Sequence, residues 1–396
     1  MLLEAEEVEE ASPDGSGSRS ARAEEPEILF FDDSSVKKYC CEAVRTGTKA
    51  KDLAQGVSSL APLQNMEFRD SNLKRIYSMS FKPGASLLAA AGHGGFASIF
   101  GLGSSGSEDG EPLMSWKAHQ GWVGEVQFLS SQDASSNLVL TASNDRSVVL
   151  WDVNCAAERG RKTTPKKVSE VCDHTGGIFS LHEVGGLVAT GGKDGDVILT
   201  QITGTEMKKV SEVSAVQEGH VIKCVQFNAK AGELKNKPTT FASCGMNNGV
   251  TIGDVRSGGS VVQRFDAANH CVNFVQWSQY SENLLLSSSF DHDIKVWDVR
   301  ATSAKPLHSL LGHHRVPQGQ RIKQMHRACF FASGRYILTT GEKTDELSVY
   351  EVETGKAVSR GEAEFQGTAV VAYEDEDSVV LAVGANQAIT LYTPCV

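Results

Sequence analysis

Leu284 to Arg300 reads LLLSSSFDHDIKVWDVR. Two apolar runs, Leu284-Leu285-Leu286 and Ile294-Lys295-Val296-Trp297, flank the polar turn Phe290-Asp291-His292-Asp293. In the second run Ile294 and Val296 share one side and Lys295 takes the other, the period-two alternation of a strand, so the stretch predicts a β-hairpin. The pattern recurs six more times, over Leu87–Phe100, Leu138–Trp151 (LVLTASNDRSVVLW), Leu187–Thr200, Thr240–Gly253 (TFASCGMNNGVTIG), Tyr336–Tyr350 and Val379–Tyr392. The place of Trp297 is taken by Phe100, Trp151, Thr200, Gly253, Tyr350 and Tyr392, at spacings of 42 to 53 residues. Ahead of each hairpin lies one more alternating strand, and His119, His174, His220 and His270 precede four of these. Seven units of this length predict an all-β protein built as a seven-bladed propeller.

A histidine ahead of the first strand and a Trp-Asp late in the unit are marks of the WD40 repeat. From Pro62 to the C-terminus the sequence resembles that family, best at Trp151-Asp152 and Trp297-Asp298. The resemblance implies a buried relay in each complete blade, running from a Trp indole through a strand hydroxyl and a His to an Asp. Blade 2 offers His119, Thr141 or Ser143, Asp145 and Trp151; blade 5 offers His270, Ser287 or Ser289, Asp291 and Trp297. Because the same residue types recur in separate blades, these are read as structural and not as a catalytic triad. The other relays are expected to be incomplete, with Thr200 for Trp in blade 3, Asn247 and Gly253 for Asp and Trp in blade 4, Thr344 and Tyr350 in blade 6, and Gly94 and Phe100 in blade 1.

With 396 residues, 40% apolar and 22% charged, the chain is long enough for one large core. Residues 1–27 are rich in Glu, Ser and Gly and are expected to be a disordered acidic tail. Residues 28–61 form an extension with an apolar cluster, Ile28–Phe31, and a short helix expected over 36–44. The propeller then occupies 62–396. Its last hairpin ends at Tyr392 with no strand to follow, so Pro62–Phe68 is expected to close the ring by pairing with that hairpin, which would otherwise leave an open edge.

The nine cysteines are scattered without a Cys-x-x-Cys, which argues against a disulfide framework or a zinc site. No apolar run reaches the roughly 18 residues of a membrane span, and the acidic start is unlike a signal peptide, so a nuclear and/or cytoplasmic protein without membrane insertion is expected. The net charge of −11 is concentrated in the tail: residues 1–33 hold eleven acidic side chains against Arg19 and Arg22. A near-neutral body does not favour broad nucleic-acid affinity.

Function is sought on the two faces, which the strand order of a propeller separates. Trp297-Asp298-Val299-Arg300 closes a stretch resembling the DWD box of cullin-4 ubiquitin ligase substrate receptors, and Gly253-Asp254-Val255-Arg256 is a partial second copy. That resemblance implies Arg300, Arg256 and Asp298 as adaptor-binding residues on the bottom face. On the top face, Gly312–Arg327 (GHHRVPQGQRIKQMHR) is a long basic loop. Arg315, Arg321 and Lys323 are its candidate ligand-binding residues, with His313, His314 and His326 expected to add charge below about pH 6.5. A second basic run, Arg159–Lys167, reads as a nuclear-localisation patch or as a phosphorylation site at Thr164-Pro165. Neither phosphate loop, paired carboxylates nor metal-ligand spacing appears, so no enzyme, cofactor or metal is expected. Three readings follow: a protein-interaction scaffold serving as a cullin-4 receptor, a nucleic-acid or chromatin reader using loop 312–327, and a ligase-independent assembly scaffold in trafficking or RNA processing.

Overall fold

Burial sorts the four strands of every repeat by position. The second strands, such as Leu87–Gly92, Leu138–Ser143 and Leu284–Ser289, are buried at almost every residue, whereas the outer strands Lys166–Val171 and Glu206–Val213 are largely exposed. A strand covered on both faces reads as a continuous run of apolar and small residues, and this is why the central runs LLAAAG and LLLSSS lack alternation.

The computed structural model describes residues 52–84, 87–102, 110–130, 137–153, 164–214, 216–230, 238–301, 305–317, 320, 325–363, 365–375 and 378–396. The acidic tail, the helix expected over 36–44, Arg321, Lys323 and residues 159–163 of the basic run lie outside them. The described strands form seven four-stranded antiparallel sheets. Six are contiguous in sequence: 76–117, 123–171, 178–213, 222–266, 272–310 and 328–362. In the seventh, Ala369–Glu374, Val379–Gly384 and Ala388–Cys395 are completed by Ser59–Arg69 from the other end of the chain. Pro62 lies opposite Tyr392 and Phe68 opposite Ile389, with a bulge between Pro62 and Glu67. The pairing is longer than the seven residues expected from sequence, and Leu53 and Val57 ahead of it are buried in the same core.

In the hairpin quoted at the outset, Leu284 pairs with Asp298, Leu286 with Val296 and Ser288 with Ile294. Its turn places His292 in the left-handed region at φ 80°, where Arg146 (79°), Asn248 (66°), Gly95 (79°) and Gly195 (85°) hold the matching positions of other blades. A side chain there costs roughly 1–2 kcal/mol over glycine, which the neighbouring Asp carboxylates offset by capping the turn. Three residues earlier the chain entering the blade crosses the end of the second strand. A Cβ at Gly92 would lie 1.8 Å from the Arg75 carbonyl oxygen, and one at Gly245 2.0 Å from that of Val221. Blades 2 and 5 place Ser143 and Ser289 there instead, and Ser143 Oγ donates to the Trp122 carbonyl at 3.0 Å.

The innermost strands surround a central channel, and among the described residues an ion pair spans it. Arg327, just before the inner strand of blade 6, donates from Nη1 and Nη2 to the two carboxylate oxygens of Glu125 on the inner strand of blade 2, at 2.7 and 2.9 Å. Arg327 Nη2 also reaches the Gly124 carbonyl at 3.1 Å, its guanidinium lies 5.5 Å from the Phe274 ring centre, and Ser78 Oγ donates to Glu125. Arg327 is therefore not a free cation of the top loop, as its sequence context suggested, but part of the channel packing.

Candidate interaction faces

The relay of blade 2 is complete. Trp151 Nε1 donates to Thr141 Oγ1 at 2.9 Å, Thr141 Oγ1 meets His119 Nε2 at 2.7 Å, and His119 Nδ1 meets Asp145 Oδ2 at 3.1 Å. Gln120 N and Ser147 Oγ donate to the same carboxylate at 2.9 and 2.6 Å. Burial works to raise the Asp145 pKa, but the hydrogen bonds of His119 and Ser147 hold it well below the usual carboxylate range. Blade 3 repeats the relay without its Trp end: His174 Nε2 meets Thr190 Oγ1 at 2.8 Å and Nδ1 meets Asp194 at 2.9 Å. There, against the upward pull of burial, the bonds from His174 and Gly176 bring Asp194 down to about 2.

Blade 5 departs from the expected relay. Trp297 Nε1 donates to Ser287 Oγ at 2.8 Å, and Asp291 is capped by Ser289 Oγ and by Asn269 N at 2.9 Å, but the His270 ring forms no hydrogen bond with either. The reason is register. In blades 2 and 3 the amide that caps the Asp belongs to the residue after the relay His, Gln120 or Thr175. In blade 5 that amide belongs to Asn269, so the relay position is Ala268 and His270 comes two residues late. Blade 4 shows a similar exchange. His220 is exposed, and buried Gln217 donates to Ser243 O and Oγ at 2.8 and 2.9 Å.

Loop 312–327 is corrected more deeply. His313, preceded by Gly312, is buried against blade 6: Tyr350 OH donates to Leu311 O at 2.6 Å and lies 3.4 Å from His313 Nδ1. Sequence reasoning placed this Gly-His pair in an anion-binding loop although it matched the family's own signature. His313 and His314 rings lie 4.3 Å apart, and His314 and His326 rings 5.2 Å apart. Burial, aided by their mutual repulsion, pushes the pKa of His313 well down and that of His314 to about 3, and burial takes His326 to about 4. These side chains do not add positive charge at pH 6.5. Arg315 pairs with Glu346.

The bottom face carries two matching forks. Arg300 donates from Nε to Asp298 Oδ1 at 3.0 Å and from Nη2 to Oδ2 at 2.6 Å; Arg256 does the same to Asp254 at 3.1 and 2.7 Å. The arginine side chains are 68% and 71% exposed, so both forks stand on the surface of adjacent blades. Asp298 is the partner that aims Arg300.

One cluster escaped the sequence reading. Tyr77, Trp122 and Phe179 stand at or next to the start of the inner strands of blades 1, 2 and 3, each half-buried. Their ring centres are 5.8 Å apart between Tyr77 and Trp122 and 4.9 Å between Trp122 and Phe179. Lys223 Nζ of blade 4 lies 3.8 Å from the Phe179 ring centre, Lys193 Nζ 6.0 Å from it, and the Arg75 guanidinium 6.0 Å from Tyr77. Burial depresses the Lys223 pKa, with the Cys271 thiol opposing the shift and Lys193 adding to it. The residues are about fifty apart in sequence, and the signal that could have found them is their shared position at each blade's entry.

Among the described residues no group of three or more His, Cys, Asp or Glu is arranged to hold a metal ion, and no helix is long and apolar enough to cross a membrane. The profile of the family described as WD domain, G-beta repeat matches residues 110–152 and 259–298, which cover parts of blades 1–2 and 4–5. A ribosome biogenesis protein WDR12 homolog of Chlamydomonas reinhardtii is 26% identical over 232 residues, covering 56% of this chain and 45% of that protein. The U3 small nucleolar RNA-associated protein 15 of Saccharomyces cerevisiae is 26% identical over 226 residues, covering 56% of this chain and 39% of that protein. The WD-40 repeat-containing protein MSI4 of Arabidopsis thaliana is 23% identical over 230 residues, covering 48% and 44%. The chain thus spans less than half the length of these relatives. Two repeats match the WD-domain profile, and seven sheets of one topology closed into a ring make the chain a seven-bladed β-propeller that carries WD40 repeats.

Proposed function

We propose that the chain is a non-enzymatic nuclear scaffold that holds protein partners together in a ribosome-assembly particle. The supporting observation is the likeness, across half of the chain, to proteins named for ribosome biogenesis and for association with U3 small nucleolar RNA. The fold supports the scaffold part: the His, Thr and Asp sets of blades 2 and 3 are consumed in buried relays, leaving loops on two faces as the variable surface. The test is affinity purification of the full-length chain from nuclear extract with mass spectrometry, together with sedimentation of the extract. Co-purifying pre-ribosomal proteins and co-sedimentation with pre-ribosomal particles are expected. A chain that sediments free of particles and brings down none of their proteins overturns the reading.

A second reading, docking to the cullin-4 adaptor, is favoured by one feature, the two exposed Asp-Arg forks on adjacent blades. An Arg presented by a carboxylate keeps its outer donors free for a partner, and interface arginines can each contribute about 2 kcal/mol or more. Co-precipitation of the adaptor with wild type, Arg300→Ala and the Arg256→Ala, Arg300→Ala pair decides it. Binding that is absent in wild type, or undiminished in the double variant, removes this reading and leaves the scaffold.

A further inference from the structure

We propose that the arc Tyr77–Trp122–Phe179 with Lys193 and Lys223, on the top face of blades 1 to 4, binds single-stranded nucleic acid. The proposal goes beyond the scaffold reading and does not depend on it.

Three properties carry it. The first is continuity: three aromatic rings follow one another around the channel mouth at 5.8 and 4.9 Å, each leaving part of its surface to solvent. Half-buried rings in a row are costly to leave wet, and a base stacks on any of them because every base has a π face. The second is charge. Lys193 and Lys223 form no ion pair among the described residues, and both ammonium groups stand at the Phe179 end of the arc. Lys223 is desolvated enough for its pKa to fall, so an anion arriving beside it restores the interaction that burial removed. The third is the kind of cation. Phosphopeptide sites are built from arginine forks that grip one phosphate in two places. Here the unpaired cations are lysines, point charges suited to a backbone of successive phosphates, and the remaining surface is aromatic.

The alternative top-face anion site, loop 312–327, lacks these properties in its described residues. Arg315 is paired with Glu346, Arg327 is bound to Glu125 across the channel, and the three histidines, His313 and His326 buried and His314 half-buried, are held neutral. Asp145 and Asp194, in the turns of blades 2 and 3, are engaged by His119 and His174, and Glu125 by Arg327, so these carboxylates oppose an anion less than free ones would.

The test uses the full-length chain and fluorescence anisotropy with labelled single-stranded RNA and DNA of about 12 nucleotides, within the usual span of such sites. Duplex DNA and a doubly phosphorylated peptide serve as competitors. Wild type is expected to bind single strands, RNA or DNA, more tightly than duplex. The Lys193→Ala, Lys223→Gln pair should weaken binding about tenfold and lower the log–log salt slope by about 1.4, the value for two lost single-strand phosphate contacts. Trp122→Leu should weaken it about tenfold as well. Lys208→Ala, an exposed lysine on the outer strand of blade 3, should change nothing. Because Trp122→Leu also touches packing, its melting curve is measured in parallel, and the exposed Lys193→Ala change alone should still weaken binding severalfold. No binding to single strands at low salt, displacement by the phosphopeptide in preference to RNA and DNA, or affinity and salt slope unchanged in the lysine pair would each overturn the proposal. None of these outcomes bears on co-purification with particle proteins, which tests the scaffold reading separately.

Discussion

Removing one partner of the Arg327–Glu125 bridge should damage the propeller far more than removing both. The side chains are 15% and 11% exposed, joined by two hydrogen bonds at 2.7 and 2.9 Å, and each has further contacts that cannot follow it into another position. Arg327→Met leaves Glu125 charged and buried with Ser78 Oγ as its remaining donor among the bonds described. Breaking a buried pair this way costs about 3–5 kcal/mol, whereas replacing both charges by apolar groups of similar size is often neutral. The design is therefore a double-mutant cycle of wild type, Arg327→Met, Glu125→Leu and the pair, followed by urea denaturation with fluorescence and circular dichroism.

Each single change is expected to lower stability by about 3–5 kcal/mol, and the pair to lie within about 2 kcal/mol of wild type, so the coupling is opposite in sign to either single deficit and larger in size. The bridge joins blades that are not neighbours in the ring, so its loss should also reduce the cooperativity with which blades 6 and 2 unfold together. Single changes costing under about 1 kcal/mol, or a pair that costs the sum of the two, would show that solvent in the channel screens the charges and would refute the argument.

Three further outcomes follow from the same geometry. Ser59–Arg69 covers the edge of Ala388–Cys395, so deleting residues 1–27 should leave the melting temperature unchanged, while deleting 1–69 should produce aggregates on gel filtration; equal behaviour of the two truncations would sink the closure argument. His182 and His326 are each held down to about 4 by burial, and His314 to about 3, below the unfolded value near 6.5. Above pH 6.5 they are neutral in both states and contribute nothing; from about 6.5 down to about 4 the unfolded chain takes up protons that the native one does not, so stability falls as pH falls. At pH 5 each of His182 and His326 should cost on the order of 2 kcal/mol, read as a drop in the urea midpoint that His326→Asn partly removes. Finally, His119→Ala breaks a chain of buried hydrogen bonds and should cost about 1–3 kcal/mol, whereas His270→Ala should stay within about 0.5 kcal/mol; equal losses in urea melts would restore His270 to the relay.

That last pair of substitutions shows where sequence and structure part. Strand positions were legible because side-chain alternation and the two-sided burial of the second strands write themselves into composition, and the seven hairpins fall where their apolar runs predict. The closing pair was legible because a blade without an outer strand must find one. Relay membership was less so, because it depends on the register between an entry loop and a turn: shifting His270 by two residues from the capped position leaves the residue types intact and the hydrogen bond absent. The top loop failed for another reason. Charge was counted from residue types, whereas burial decides whether a histidine or arginine is available: His313 and His326 are covered by blade 6, which meets them at Tyr350 and Thr340, and Arg327 is held by Glu125 of blade 2, far away in sequence. The aromatic arc is the converse case. No local stretch contains it, since blades 1, 2 and 3 each contribute one ring and blade 4 a lysine near their entries, with Lys193 added from the turn of blade 3, and only the packing of successive blades side by side assembles them into a surface. Features fixed by period can be read along the chain; features fixed by the juxtaposition of blades require the blades.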